Sequence, residues 1–216
     1  PEHLLDRTLE YAADLAVHAS PTSMAVMKQQ VYADQLRGVA EASQDAIELM
    51  KASLRRADFK EGVASFLQKR PPAFAPIVRM AEADAARTRA LTLGMAIGAV
   101  TINGTQMTDL IAVPAAISFD IPVGDVELWT ITNTSGMPHP LHVHHRQFQV
   151  LDVDGAPPPA ALAGWKDTVL VGPGQVMRLL LTFAGVADRD VPYMFHCHVL
   201  EHEDHGMMGR FFLIPA

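Results

Sequence analysis

The stretch YMFHCHVLEHEDHGMM, residues 193–208, holds four histidines, the only cysteine of the chain and, at its end, two adjacent methionines. A second stretch, HPLHVHH, residues 139–145, holds four more histidines. Only His3 and His18 of the ten histidines lie elsewhere. Two compact imidazole clusters that share one thiol point to metal binding, with zinc or copper as the ions suited to His and Cys together. Structural zinc sites usually pair CxxC with spaced histidines, and the chain has no CxxC. A blue-copper site needs two imidazoles, one thiolate and a weak axial thioether. Cys197, His202 and Met207 follow one another at five-residue steps, so one loop can wrap an ion. His139 is the natural second imidazole, delivered from a neighbouring strand, and Met208 is then a packing residue.

The remaining histidines alternate with that set. His142 and His144 lie two apart and share one face of a strand. His196 and His198 flank Cys197 and point to the side opposite its sulfur. A second metal centre behind the first, joined to it through the Cys197 backbone, would suit electron transfer. His145 and His205 fall outside the alternation and read as bystanders or supporting groups.

The elements that must carry these residues change character along the chain. Residues 1–75 read as a helical segment. Leu5, Leu9, Ala12 and Ala16 form one stripe; Ser20 stands as an N-cap before Pro21, with Gly38 as a stop. Ile47, Met50 and Leu54 repeat the pattern. Asp58 and Glu61 have capping-box spacing, and Pro71-Pro72 end the last helix. Residues 76–87 read as a linker. From about residue 88 short β-rich runs appear, VELWTITN, QFQVLDV, DTVLV, VMRLLLTF and GRFFLI, separated mostly by turns with Gly, Pro, Asn or Asp. That texture predicts a β-sandwich or barrel over 88–216.

Composition narrows the function. The 216 residues carry a formal charge of -7 and no long basic run, which disfavours nucleic acid as a partner. Apolar stretches such as LTLGMAIGAV are too short to span a bilayer, so no membrane partner is expected. A lone cysteine cannot form an internal disulfide. No secretory signal is visible, and the start at Pro1 suggests a piece of something longer.

HPLHVHHRQFQVL and HCHVLEHEDHGMM resemble the two copper signatures in the C-terminal cupredoxin domain of multicopper oxidases, the laccase and bilirubin-oxidase class. INGTQMTD, GDVELWTITNTSGMPHPLHVH and WKDTVLVGPGQVMRLLLTF extend the resemblance over residues 88–216. It implies a cupredoxin-like Greek-key β-sandwich or barrel. It further implies that His139, Cys197, His202 and Met207 bind a type 1 copper, that His142 is a type 2 ligand, and that His144, His196 and His198 are type 3 ligands. Electrons from a small reducing substrate (a phenol, an amine or a metal ion) would enter at the type 1 copper. They would pass through His196-Cys197-His198 to a trinuclear site that reduces dioxygen. The resemblance also implies a periplasmic or secreted location. The family completes its trinuclear site with two further His-x-His pairs, and no such pair precedes residue 139. Another cupredoxin domain or an oligomer is therefore expected to complete it, and the alternative is a copper-binding or interaction protein without turnover.

Residues 1–74, above all 58–74, resemble the C-terminal helical region of enoyl-CoA hydratases, the crotonase family. That resemblance places Phe66 and Lys69 near a CoA nucleotide and implies a part in subunit assembly. Hydratase chemistry is not expected, because the family's catalytic glutamates and oxyanion hole belong to the preceding core.

Overall fold

A computed structural model describes residues 3–216 apart from 36, 76, 97, 109–111, 145–146 and 184. The chain divides into two units, Pro1–Val78 and Arg79–Ala216.

The first unit contains four helices: α1 (Leu4–His18), α2 (Pro21–Asp34), α3 (Val39–Ser53) and α4 (Ala57–Gln68). Ser20 caps α2 as expected, its hydroxyl accepting from Ser23 N–H at 3.1 Å, with Pro21 in the first turn where its missing N–H costs nothing. Gly38 does not stop α2; it is the extended residue at the start of α3. Asp58 and Glu61 form no capping box. Arg56 stands at the N-terminus of α4, Asp58 accepts from the Ser20 hydroxyl, and Glu61 pairs with Arg70 at 2.5 Å. The stripe of Leu5, Leu9, Ala12 and Ala16 lies along α1 and is solvent-exposed. Asp58 and Ser65 alone are buried among the described residues of the four helices, so this unit has no apolar core.

The second unit carries eleven strands among its described residues: β1 (Arg87–Ala96), β2 (Ala99–Ile102), β3 (Ser118–Pro122), β4 (Val126–Asn133), β5 (His139–Val143), β6 (Phe148–Val153), β7 (Trp165–Lys166), β8 (Thr168–Val171), β9 (Val176–Thr182), β10 (Asp188–Cys197) and β11 (Met208–Ile214). A short helix, α5 (Leu200–Asp204), lies between the last two. The strands form two mixed sheets, ordered β2-β1-β4-β9-β6-β7 and β3-β11-β10-β5-β8. This is the mainly β, cupredoxin-like sandwich that the sequence led us to expect. β4 occupies the full VELWTITN run, and its alternation turns Trp129 and Ile131 into the core, with Leu128 buried on the opposite face. Trp129 packs edge-on against Phe195, Phe211 and Phe119, with ring centroids 5.4, 6.4 and 6.0 Å away. Glu127, fully buried, is satisfied by Arg89 at 2.6 and 2.7 Å and by the Trp129 indole N–H at 2.8 Å, which a buried carboxylate requires.

Part of the segment expected as linker is bound to this unit. Arg79 donates to the Val150 carbonyl at 2.8 Å and to the Ala163 carbonyl, Met80 N–H to Gln149 at 2.9 Å, and Arg178 pairs with Glu82 at 2.8 Å.

Two pairings position the ligand candidates. β10 runs antiparallel between β11 and β5, with His196 opposite His142 and Cys197 opposite Leu141. Its pairing with β11 is irregular between Asp188 and Tyr193, then regular from Tyr193 to His196.

Candidate metal centre

Strand alternation separates the clusters into two groups. On β5, His139, Leu141 and Val143 face the core while His142 faces the other way. On β10, Cys197 is fully buried beside that core face, and His196 lies opposite His142.

The first group is His139, Cys197 and His202. Cys197 Sγ lies 3.5 Å from His139 Nδ1 and 3.4 Å from His202 Nδ1. Metal bonds of about 2.0 Å to nitrogen and 2.3 Å to sulfur, meeting near the tetrahedral angle, give those spans. His139 is fully buried, and burial, then the neighbouring His202, pushes its pKa down to about 4. Burial pushes the Cys197 thiol up, so in the metal-free protein neither group is charged at neutral pH. Met207 is fully buried in the loop that closes the group. Its carbonyl accepts from Cys197 N–H at 3.0 Å, and its N–H donates to the His202 carbonyl at 2.9 Å. Met208 begins β11 and packs against the core.

The second group is His142, His144 and His196. His142 Nδ1 donates to the Asp167 carbonyl at 2.9 Å, with the Thr168 hydroxyl also at 2.9 Å, so its Nε2 carries the free lone pair. His196 Nδ1 faces the Cys197 carbonyl at 3.1 Å and the Glu203 carboxylate at 3.3 Å, both acceptors, which again frees Nε2. The Nε2 atoms of His144 and His196 stand 3.0 Å apart. Two imidazole nitrogens hold that distance through a shared proton or a shared cation, and metal–nitrogen bonds of about 2.0 Å subtend it at roughly a right angle. Burial lowers the pKa of His142 and of His144, and the neighbouring imidazoles lower both further. His198 is exposed, with its ring centroid 5.6 Å from that of His142 and 5.4 Å from that of His196.

Six of the eight ligand candidates thus fall into the two groups; the Met207 backbone is bonded to Cys197 and His202, and the His198 ring lies beside those of His142 and His196. His205 belongs to neither; its Nδ1 faces the Glu201 carbonyl at the end of α5. His145 lies outside the described residues. Sequence reasoning passed over Ser135, Asp167, Thr168 and Glu203, which contact the imidazoles. The one signal was the run NTSGMPH, which places Ser135 four residues before His139.

A family profile described as "Multicopper oxidase" matches residues 84–215. The multicopper oxidase mco of Staphylococcus haemolyticus is 43% identical over 115 residues, covering 51% of this chain and 24% of that protein. The Bacillus subtilis laccase is 38% identical over 104 residues, 40% of this chain and 20% of that one. The McoA multicopper oxidase structure from Aquifex aeolicus superposes with a TM-score of 0.56 at 35% identity, covering 67% of this chain and 32% of that one. The chain spans about a quarter of the length of the curated relatives it matches.

Proposed function

This chain belongs to the multicopper oxidase family, a copper-binding family, and from that premise we propose that it is the copper-binding redox domain of such an enzyme. His139, Cys197, His202 and Met207 hold a type 1 copper. His142 as a type 2 ligand, with His144, His196 and His198 as type 3 ligands, contributes to a dioxygen site behind it. The bound copper supplies one-electron chemistry between a small reducing substrate (a phenol, an amine or a metal ion) and dioxygen.

The observation that carries the reading is the parity of β10. Cys197 turns its sulfur toward two Nδ1 atoms while the adjacent His196 turns its Nε2 toward His144. One peptide unit therefore connects the two positions, and His196-Cys197-His198 is the electron path. The Asp167 and Thr168 contacts orient His142, and Glu203 orients His196.

The expected outcome with added Cu(II) is an intense visible thiolate-to-copper band and a narrow copper hyperfine splitting. Cys197→Ser abolishes the band, while Met207→Leu keeps it and raises the reduction potential, since a donor to Cu(II) is lost. A colourless Cu(II) complex of the folded protein would refute the assignment.

The histidine count favours a second reading for the chain by itself. It supplies four imidazoles to the dioxygen site where the family resemblance implies eight, and the sequence holds no other His-x-His pair. Alone it is then a copper-binding protein with weak phenol oxidase activity, completed by another cupredoxin domain or a second copy. Four coppers per chain with rapid dioxygen reduction would refute this. For residues 1–75 we propose an assembly role, in line with their crotonase-like resemblance. The support is exposed apolar surface at Leu4, Leu5, Leu9, Phe66 and Leu67.

A further inference from the structure

His139 turns Nδ1 toward Cys197, so its other nitrogen must be satisfied by the fold. That nitrogen, Nε2, lies 2.7 Å from the Ser135 hydroxyl, and both residues are buried. The distance does not say which group donates. The surroundings of Asn133, itself fully buried, do. Asn133 Nδ2 lies 2.8 Å from the Met137 carbonyl and 3.0 Å from the Val171 carbonyl. Carbonyl oxygens only accept, so both places require the amide N–H groups, and the orientation of the carboxamide is fixed.

Asn133 Oδ1 then faces Ser135, whose backbone N–H donates at 2.9 Å and whose hydroxyl lies 2.8 Å away. The hydroxyl has one proton; spent on His139 it would leave the Ser135 oxygen facing two acceptor oxygens at 2.8 and 3.0 Å with no proton between them, so it goes to the Asn133 oxygen or to the Met137 carbonyl. Its lone pairs remain to accept, one from Met137 N–H at 3.3 Å and one from His139. His139 therefore carries its proton on Nε2 and its lone pair on Nδ1, the atom that faces the sulfur.

We propose that Ser135, held by Asn133, is the positioning residue that fixes neutral His139 as the Nε2–H tautomer and aims Nδ1 into the type 1 site before a metal arrives. This rests on the reading of His139 as a copper ligand. A neutral imidazole with its proton on Nδ1 cannot bind through that atom, so an unfixed ring spends part of its time incompetent. A hydrogen bond accepted from Nε2–H also makes the ring a stronger donor, which favours Cu(II) over Cu(I). Neither Ser135 nor Asn133 takes a place in the ligand set.

The test uses the full chain labelled with nitrogen-15 histidine. Long-range nitrogen–proton correlation of the metal-free protein should show His139 as the Nε2–H tautomer, and Ser135→Ala should give a mixture of tautomers. On copper loading, Ser135→Ala should bind Cu(II) about 10–100-fold more weakly and show a raised reduction potential. Ser135→Thr, which keeps the hydroxyl, should restore the tautomer, the affinity and the potential. A role confined to packing would lower the melting temperature and leave the tautomer unchanged, and that result would overturn the proposal. The wild-type tautomer requires no variant, so an Nδ1–H ring in wild type with the thiolate-to-copper band present also overturns it. An Nε2–H ring with no such band instead overturns the copper reading.

Discussion

Burial shifts the protonation of the candidate ligands from their usual values, and the consequence is a pH dependence of known sign. His139 in the folded protein titrates near 4, against about 6.5 in an unfolded chain. Between those values the unfolded state binds a proton that the folded state refuses, so stability rises with pH across that window. The metal-free protein should lose on the order of 3 kcal/mol from His139 as pH falls from about 6.5 to 4. Urea unfolding at pH 7 and pH 4 measures this, and His139→Gln should flatten the profile; an equally steep profile in that variant would exclude His139 as the cause. The thiol is shifted the other way, yet metal affinity also rises with pH. Copper binding must displace the Cys197 proton, and burial raises that pKa, so affinity should climb about tenfold per pH unit around neutrality. At this scale the candidate ligands were legible because thiol and imidazole chemistry is written in the residue type. Ser135 was not, because a serine hydroxyl acquires its role from three neighbours that only folding brings together.

The strands turn ligand spacing into geometry, and close packing around β10 holds them in place. Gly209 on β11 lies opposite Phe195 on β10. A Cβ there would fall 2.2 Å from Phe195 Cζ and 2.6 Å from the Ile117 carbonyl oxygen. The ring cannot yield, because it stacks on Phe119 at 5.4 Å and meets Trp129 at 5.4 Å. Gly209→Ala should therefore cost about 1–3 kcal/mol and displace the strand that carries His196 and Cys197. Thermal melts with and without copper check this, and an unchanged melting temperature would show that the strand pair has slack. β4 and β9 were visible from apolar, β-branched runs, which need no partner to recognise. β5 and β10 hold Pro140, Pro192 and the histidines, poor strand formers, and only the two-residue ligand alternation pointed to strands there.

The molecule pairs a unit with a dense core with a unit that has none. Every buried apolar side chain among the described residues lies in Arg79–Ala216. Four short helices without buried apolar contacts are marginal in water. Heating should thus give two transitions, a broad early loss of helical circular dichroism and a later cooperative loss of the β signal. A chain starting at Arg79 should keep the thiolate-to-copper band, and loss of the band in that soluble fragment would show that the helices are needed for the site. Arg79, Met80 and Glu82 must be retained because they bond to β-unit residues. The change from helical to strand texture was plain in the sequence. The attachment of residues 79–84 was not, since it depends on carbonyls and side chains 69 to 96 positions away.

The irregular pairing between Asp188 and Tyr193 draws a line along β10. Upstream of it, the strand is already out of step with β11, and a residue gained or lost there can be absorbed without turning anything that follows. Downstream, from Tyr193 to Cys197, inserting one residue reverses the facing of every later side chain, delivering sulfur to the imidazole side and imidazole to the sulfur side. Gene-length variation is therefore tolerable on one side of Tyr193 and forbidden on the other, and the boundary falls only four residues before the cysteine.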